Sequence, residues 1–155
     1  MTPAVTAARR AGIEHRVLEY PHDPSAASYG REAADALGVD ARLVFKTLVA
    51  SGAGGAAVVA VIPVNARLDL KALAAATGEK KLAMADPAVA ERVTGYVVGG
   101  ISPLGQRRRL PTVIDRSALE HPLVYVSAGR RGLELALAPR DLAALAGARV
   151  AAIAR

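Results

Sequence analysis

Polar and apolar positions change period several times along the chain, and each change marks an element. Thr2-Pro3 opens a helix, because threonine offers an acceptor to the free first-turn amides and proline has no N–H to leave unpaired there. This helix runs to Gly12. Residues 14–19 alternate as a strand, and Tyr20-Pro21-His22-Asp23-Pro24-Ser25 reads as a loop, since two prolines in four positions exclude both ladder and helix. Helical spacing returns over 30–37 and stops at Gly38. Apolar runs at 44–50 and 57–62 read as strands joined by the flexible connection Ser51-Gly52-Ala53-Gly54-Gly55. Asp69 caps a helix that ends at Thr77 before Gly78, and Asp86-Pro87 caps another that ends at Thr94 before Gly95. Further strands fall at 112–114, 123–127 and 133–138, the last two linked by Ala128-Gly129-Arg130-Arg131-Gly132. Pro139 starts a final helix to Leu145, and 149–153 is a closing strand. This mixture predicts an α/β (α+β) class with a mixed, mostly antiparallel sheet. No repeat, linker or change of composition asks for a second domain, so residues 1–155 are expected to form one.

Composition narrows the chemistry. Of the 155 residues 52% are hydrophobic and 22% charged, but only 3% are aromatic, which places the core weight on Val, Leu, Ile and Ala. The absence of cysteine excludes disulfides, thiolate metal sites and a protein thiol nucleophile, and fits a reducing cytoplasm. No stretch reaches the ~18 apolar residues of a membrane-spanning helix, and the N-terminus lacks an apolar signal region, so a cytoplasmic location is expected. The net charge of +6 gathers partly in Lys80-Lys81, Arg107-Arg108-Arg109 and Arg130-Arg131. Such runs favour polyanions, although charge runs alone more often serve solubility than function. The interleaved aromatics of a single-strand stacking surface are missing.

Lys46 interrupts the apolar run Val44-Phe45-Lys46-Thr47-Leu48-Val49-Ala50. A lysine in a buried strand either faces an anion, a carbonyl or a cleft, or snorkels from the strand end to water. The three histidines, His15, His22 and His121, lack metal-ligand spacing and lie beside charge or proline, so they read as solvated or loop residues and no metal is implied. Gly100-Ile101-Ser102-Pro103-Leu104-Gly105 is not a hydrolase elbow: Leu104 stands where glycine is needed, and Pro103 has no N–H for an oxyanion hole. Phosphate-loop and dinucleotide fingerprints are absent. The stretch from Thr94 to Val98 reads as a strand leading into Gly99-Gly100-Ile101-Ser102-Pro103, a loop whose glycines let a ligand reach backbone amides. An ordinary tight turn fits that spacing equally well.

A likeness extends from Met1-Thr2-Pro3-Ala4-Val5 through Tyr20-Pro21-His22-Asp23-Pro24, Phe45-Lys46-Thr47-Leu48, Leu68-Asp69-Leu70-Lys71, Met84-Ala85-Asp86-Pro87 and Thr94-Gly95-Tyr96 to Arg109-Leu110-Pro111-Thr112. Its most specific part is Gly99-Gly100-Ile101-Ser102-Pro103, which matches a GxxxP loop. These stretches resemble the YbaK/EbsC family, free-standing editing domains that deacylate mischarged tRNA, in the superfamily that includes the editing insertion of bacterial prolyl-tRNA synthetase. The resemblance implies a barrel-like central sheet wrapped by helices, no cofactor and no metal. The implied partners are the acceptor end of an aminoacyl-tRNA and prolyl-tRNA synthetase. By the same resemblance Lys46 is the essential lysine that holds the terminal adenosine, with Thr47 beside it. Gly99, with Gly100 and Ile101, would engage the ester carbonyl and Pro103 would shape the loop. Tyr20, Tyr29, Ser127 and Glu134 would line the pocket. Tyr29 replaces the usual Phe, Glu134 the usual Asp, and Ala128 a usual glycine.

The branch most similar removes cysteine from tRNA(Pro). In that branch the substrate's own thiol attacks its ester and leaves as a cyclic thiolactone. Such a reaction needs no nucleophile from the protein, and intramolecular attack can reach an effective molarity of ~10⁵ M. Two alternatives stand beside it: an Ala-tRNA(Pro) deacylase of the sister branch, and a non-catalytic module that binds acceptor ends with salt-dependent affinity.

Overall fold

The structure, a computed structural model, describes residues 1–155. Its helices are α1 (Pro3–Ala11), α2 (Tyr29–Leu37), α3 (Leu70–Thr77), α4 (Pro87–Thr94) and α5 (Pro139–Ala146). Its strands are β1 (His15–Glu19), β2 (Phe45–Ser51), β3 (Ala57–Pro63), β4 (Ala83–Met84), β5 (Thr112–Asp115), β6 (Val124–Arg130), β7 (Leu133–Leu137) and β8 (Arg149–Ala151). The caps read from the sequence form as their chemistry requires. Thr2 accepts from the Val5 amide at 3.3 Å and Asp69 from the Ala72 amide at 3.0 Å. Asp86 stands at the N-cap of α4, yet its side chain makes no capping bond, so Pro87 is what starts that helix.

The strands make two sheets. One is antiparallel, ordered β1-β7-β6; the other, ordered β4-β2-β3-β5-β8, mixes antiparallel β4-β2-β3 with parallel β3-β5 and β5-β8. The expected barrel-like closure does not form. The sheets meet through an isolated parallel bridge between Val44 and Tyr125, and the five-stranded sheet ends in the short β4 and β8. Between the sheets lies a packed core, with Val59 and Val61 on one side and Val124, Val126, Leu135 and Leu137 on the other. Side chains from two sheets that fill one layer hold the sheets face to face instead of letting their edges join.

Period two sorts the remaining residues. From β3, Val58, Ala60 and Ile62 face a second core under α3, opposite to Val59 and Val61. From β7, Leu133, Leu135 and Leu137 enter the central core, while Ala136 joins Ala33 and Ala34 of α2 in a third cluster. Glu134 has the parity of Ala136, which turns a buried carboxyl toward the α2 side. The expected strand over 94–98 is absent: α4 ends at Thr94, Gly95 caps it with φ +82°, and Tyr96 to Gly99 form turns. Tyr96 is pinned instead, its hydroxyl donating to the Leu104 carbonyl at 2.6 Å. The closing strand is shorter than expected and ends at Ala151.

Candidate functional site

A cleft of about 360 Å³ opens between β2, the start of α2, α4 and the loop that follows α4. That size suits a small ligand or the end of a larger one. Lys46, Thr47, Tyr20, Tyr29, Gly99, Ile101, Ser127 and Glu134 all border it, so residues spread over 115 positions of sequence converge on one space. Gly100 and Pro103 do not border it. Gly100 lies against the β6–β7 connection, where a Cβ would sit 2.6 Å from the Arg130 Cα, and its amide is taken by the Val97 carbonyl at 2.8 Å. Pro103 is buried and lines a separate depression with Arg108 and Arg109. Both residues support the loop from behind.

Lys46 projects from β2, opposite Ile62 of β3 in the antiparallel register. Burial lowers its pKa from the ordinary lysine value. Its one hydrogen bond is to the Val64 carbonyl at 3.5 Å, the limit for such a bond. An ammonium with donors to spare at a partly dry cleft is a binding point for an anionic or carbonyl oxygen. Beside it the Thr47 hydroxyl is buried and has no hydrogen-bond partner. Such a group carries a penalty of about 1–3 kcal/mol unless something in the cleft pairs with it.

On the opposing sheet Glu134 and Ser127 are partners in the β6–β7 ladder, and both face the cleft. Glu134 is 6% exposed, and burial raises its pKa to about 8 with no hydrogen bond or cation offsetting it. At neutral pH this carboxyl is protonated and can donate. Tyr20, which continues from β1, has its pKa raised to about 12 by burial and then by Glu134 and Glu32, so it too stays neutral.

The Gly99 loop forms the rim. Gly99 has φ +91°, and a Cβ there would meet Arg131 Nε at 2.6 Å and the Tyr29 ring at 2.7 Å, so only glycine fits both the backbone and the space. Its amide donates to no acceptor in the protein. The Arg131 guanidinium lies 4.4 Å over the Tyr29 ring, and the His22 ring, 5.8 Å from that of Tyr29, donates from Nδ1 to the Glu32 carboxylate at 2.8 Å. His22 thus occupies a loop as expected but is tied to α2 and not free in solvent. Arg131 was not legible as a neighbour of the site, since it showed only as half of an arginine pair.

Residues 23–145 match the family model described as the aminoacyl-tRNA editing domain. The chain belongs to that family. It is 42% identical over 120 residues, 77% of this chain and 73% of the other, to EbsC of Enterococcus faecalis, a protein named for Cys-tRNA(Pro)/Cys-tRNA(Cys) deacylation. Among solved structures it is similar to one assigned to a trans-editing enzyme for prolyl-tRNA synthetase, with TM-score 0.82 and 29% identity, covering 100% of this chain and 99% of that one. It is also similar to the hypothetical protein APE2540, with TM-score 0.88 and 28% identity over 99% of each chain. The family, the mixed α/β fold and an editing enzyme that acts on an aminoacyl ester therefore agree with the expectations from sequence. No helix is long and apolar enough to cross a membrane.

Proposed function

We propose that this editing domain is a trans-acting deacylase of Cys-tRNA(Pro), working in the cytoplasm on tRNA mischarged by prolyl-tRNA synthetase. The observation that carries the reading is that Lys46 and Gly99, whose amide has no acceptor in the protein, border one cleft. Plain tRNA binding needs neither. Lys46 holds the oxygens of the terminal adenosine as an ammonium, with no Schiff base and no proton abstraction, and Thr47 neighbours the same site. The Gly99 N–H takes the ester carbonyl oxygen and the negative charge that develops on it.

The cysteinyl thiol then attacks the carbonyl carbon. The carbon–sulfur bond forms, the ester carbon–oxygen bond breaks, and the thiol proton passes to the departing ribose oxygen, releasing tRNA and a four-membered thiolactone. Neutral Tyr20 and Glu134 suit this step, because they place no anion beside the developing oxyanion. Selection is chemical: alanine fits the same space but has no thiol, whereas size alone gives weak discrimination against a smaller side chain. Incubation with Cys-tRNA(Pro) and Ala-tRNA(Pro) tests the reading. Loss of cysteine with thiolactone as the first product supports it, preference for alanine points to the sister activity, and tRNA binding without turnover points to a binding module.

A further inference from the structure

The peptide between Val98 and Gly99 is held through its carbonyl, and the peptides on either side of it are held through their N–H groups. The Val98 N–H donates to Glu91 Oε2 at 2.8 Å. The Val98 carbonyl accepts two bonds from the Arg131 fork, from Nε at 3.0 Å and Nη2 at 2.6 Å. The next amide, Gly100 N–H, donates to the Val97 carbonyl at 2.8 Å. Of these three amides only the Gly99 N–H is left without a protein acceptor.

That N–H and the Val98 carbonyl belong to one peptide plane. The chain has no cis peptide, so the two point in opposite directions. Arg131 stands on the carbonyl side and is not part of the cleft wall, whereas Gly99 borders the cleft. The guanidinium carbon lies 4.4 Å from the centroid of the Tyr29 ring, which packs against the fork. We propose that Arg131 is a positioning residue for deacylation: by holding the Val98 carbonyl it aims the Gly99 N–H at the substrate ester oxygen and polarises it.

The chemistry of the grip explains the residue type. A guanidinium offers two coplanar N–H groups to one oxygen and keeps its charge, while an ammonium is a point donor that cannot fix the plane of the peptide. Charge-assisted bonds at a carbonyl draw electron density from the whole amide, which strengthens the N–H as a donor. Glu91 secures the preceding peptide through its N–H, and the Val98–Gly99 peptide cannot rotate about its flanking bonds without breaking both bonds to Arg131.

The inference rests on the reading of the Gly99 amide as the ester-oxygen donor, and single-turnover kinetics separate the two. Losing one oxyanion donor outright costs ~10²–10³ in rate, so misaiming it in Arg131→Ala is expected to lower the single-turnover rate constant by about 10–100-fold with KM within about 3-fold. Arg131→Lys recovers little of the rate, and methylguanidinium added in solution restores part of it to Arg131→Ala but none to Lys46→Ala. If Arg131→Ala is unfolded by circular dichroism, Arg131→Lys carries the test, since it retains the stem and the charge and loses only the fork. A wild-type rate constant in the folded variant, a defect confined to KM, or the absence of methylguanidinium rescue overturns the inference while an active wild type leaves the deacylase reading standing. A wild type inactive on every aminoacyl-tRNA overturns both.

Discussion

Glu134 and Asp115 are equally little exposed, at 6% each, and yet their pKa values are shifted in opposite directions. Burial pushes Asp115 up too, but bonds from Ser117 and from the Ile153 and Ala154 amides, at 2.5 to 3.1 Å, outweigh it and hold its pKa below the ordinary value. Glu134 has no such partners and is raised from 4.5 to about 8. Between those two values the folded chain binds a proton that the unfolded chain has released, so stability falls as pH rises from about 4.5 to about 8 and is level beyond. Glu134→Gln removes that proton, and its stability relative to the parent should climb by a few kcal/mol across this window in urea titrations, on the order expected for a shift of several units. A constant difference between pH 4 and pH 9 would contradict the burial account. Asp115→Ala should cost about 3 kcal/mol, because it strands buried amides at the chain terminus. That cost is present above pH 3.8 and shrinks as acid protonates the parent carboxylate.

At the scale of elements, the turn after α4 decides whether the site exists. Gly99→Ala places a methyl against Arg131 and Tyr29 in a left-handed backbone. It should cost about 1–3 kcal/mol in stability and at least tenfold in deacylation, measured by thermal unfolding and by single-turnover rates. Most helix and strand positions were legible because caps and periods are local: Thr2, Asp69, Pro139 and the αL glycines at helix ends act within one turn. The misread stretch was Tyr96-Val97-Val98, whose β-branched residues favour a strand. Tyr96 instead buries its ring and bonds Leu104, and Val98 gives both its amide and its carbonyl to ionised side chains. Those partners are 8, 7 and 33 residues away, beyond any local pattern. The two-residue β4 was unseen for the same reason, since it exists through its pairing with Ala50 and Ser51.

For the whole molecule, two packed sheets bring Lys46 from one and Glu134 and Ser127 from the other to a single cleft, an arrangement carried in the sequence by family resemblance and not by spacing. The charge excess has a place as well. Arg107, Arg108 and Arg109 are exposed and take part in none of the ion pairs, and the amides of Arg107 and Arg108 bond the Thr94 and Val93 carbonyls at the end of α4. Ala90 of the same helix borders the cleft, about 6 Å along the axis from Thr94. Such a ridge can meet the phosphates of an acceptor stem whose end lies in the cleft. Replacing all three arginines by glutamine should reduce the slope of log affinity against log salt for uncharged tRNA by about 2, whereas Lys46→Ala should change it by no more than about 1. Deacylation by the parent and by Lys46→Ala, with Cys-tRNA(Pro) and Ala-tRNA(Pro) side by side, tests the central claim most directly. The account predicts release of cysteine well ahead of alanine and a loss of about 100-fold or more in kcat/KM on Lys46→Ala, comparable to removing an electrostatic catalytic contact. Cysteine release at the buffer rate, or release that Lys46→Ala leaves unchanged, would contradict it.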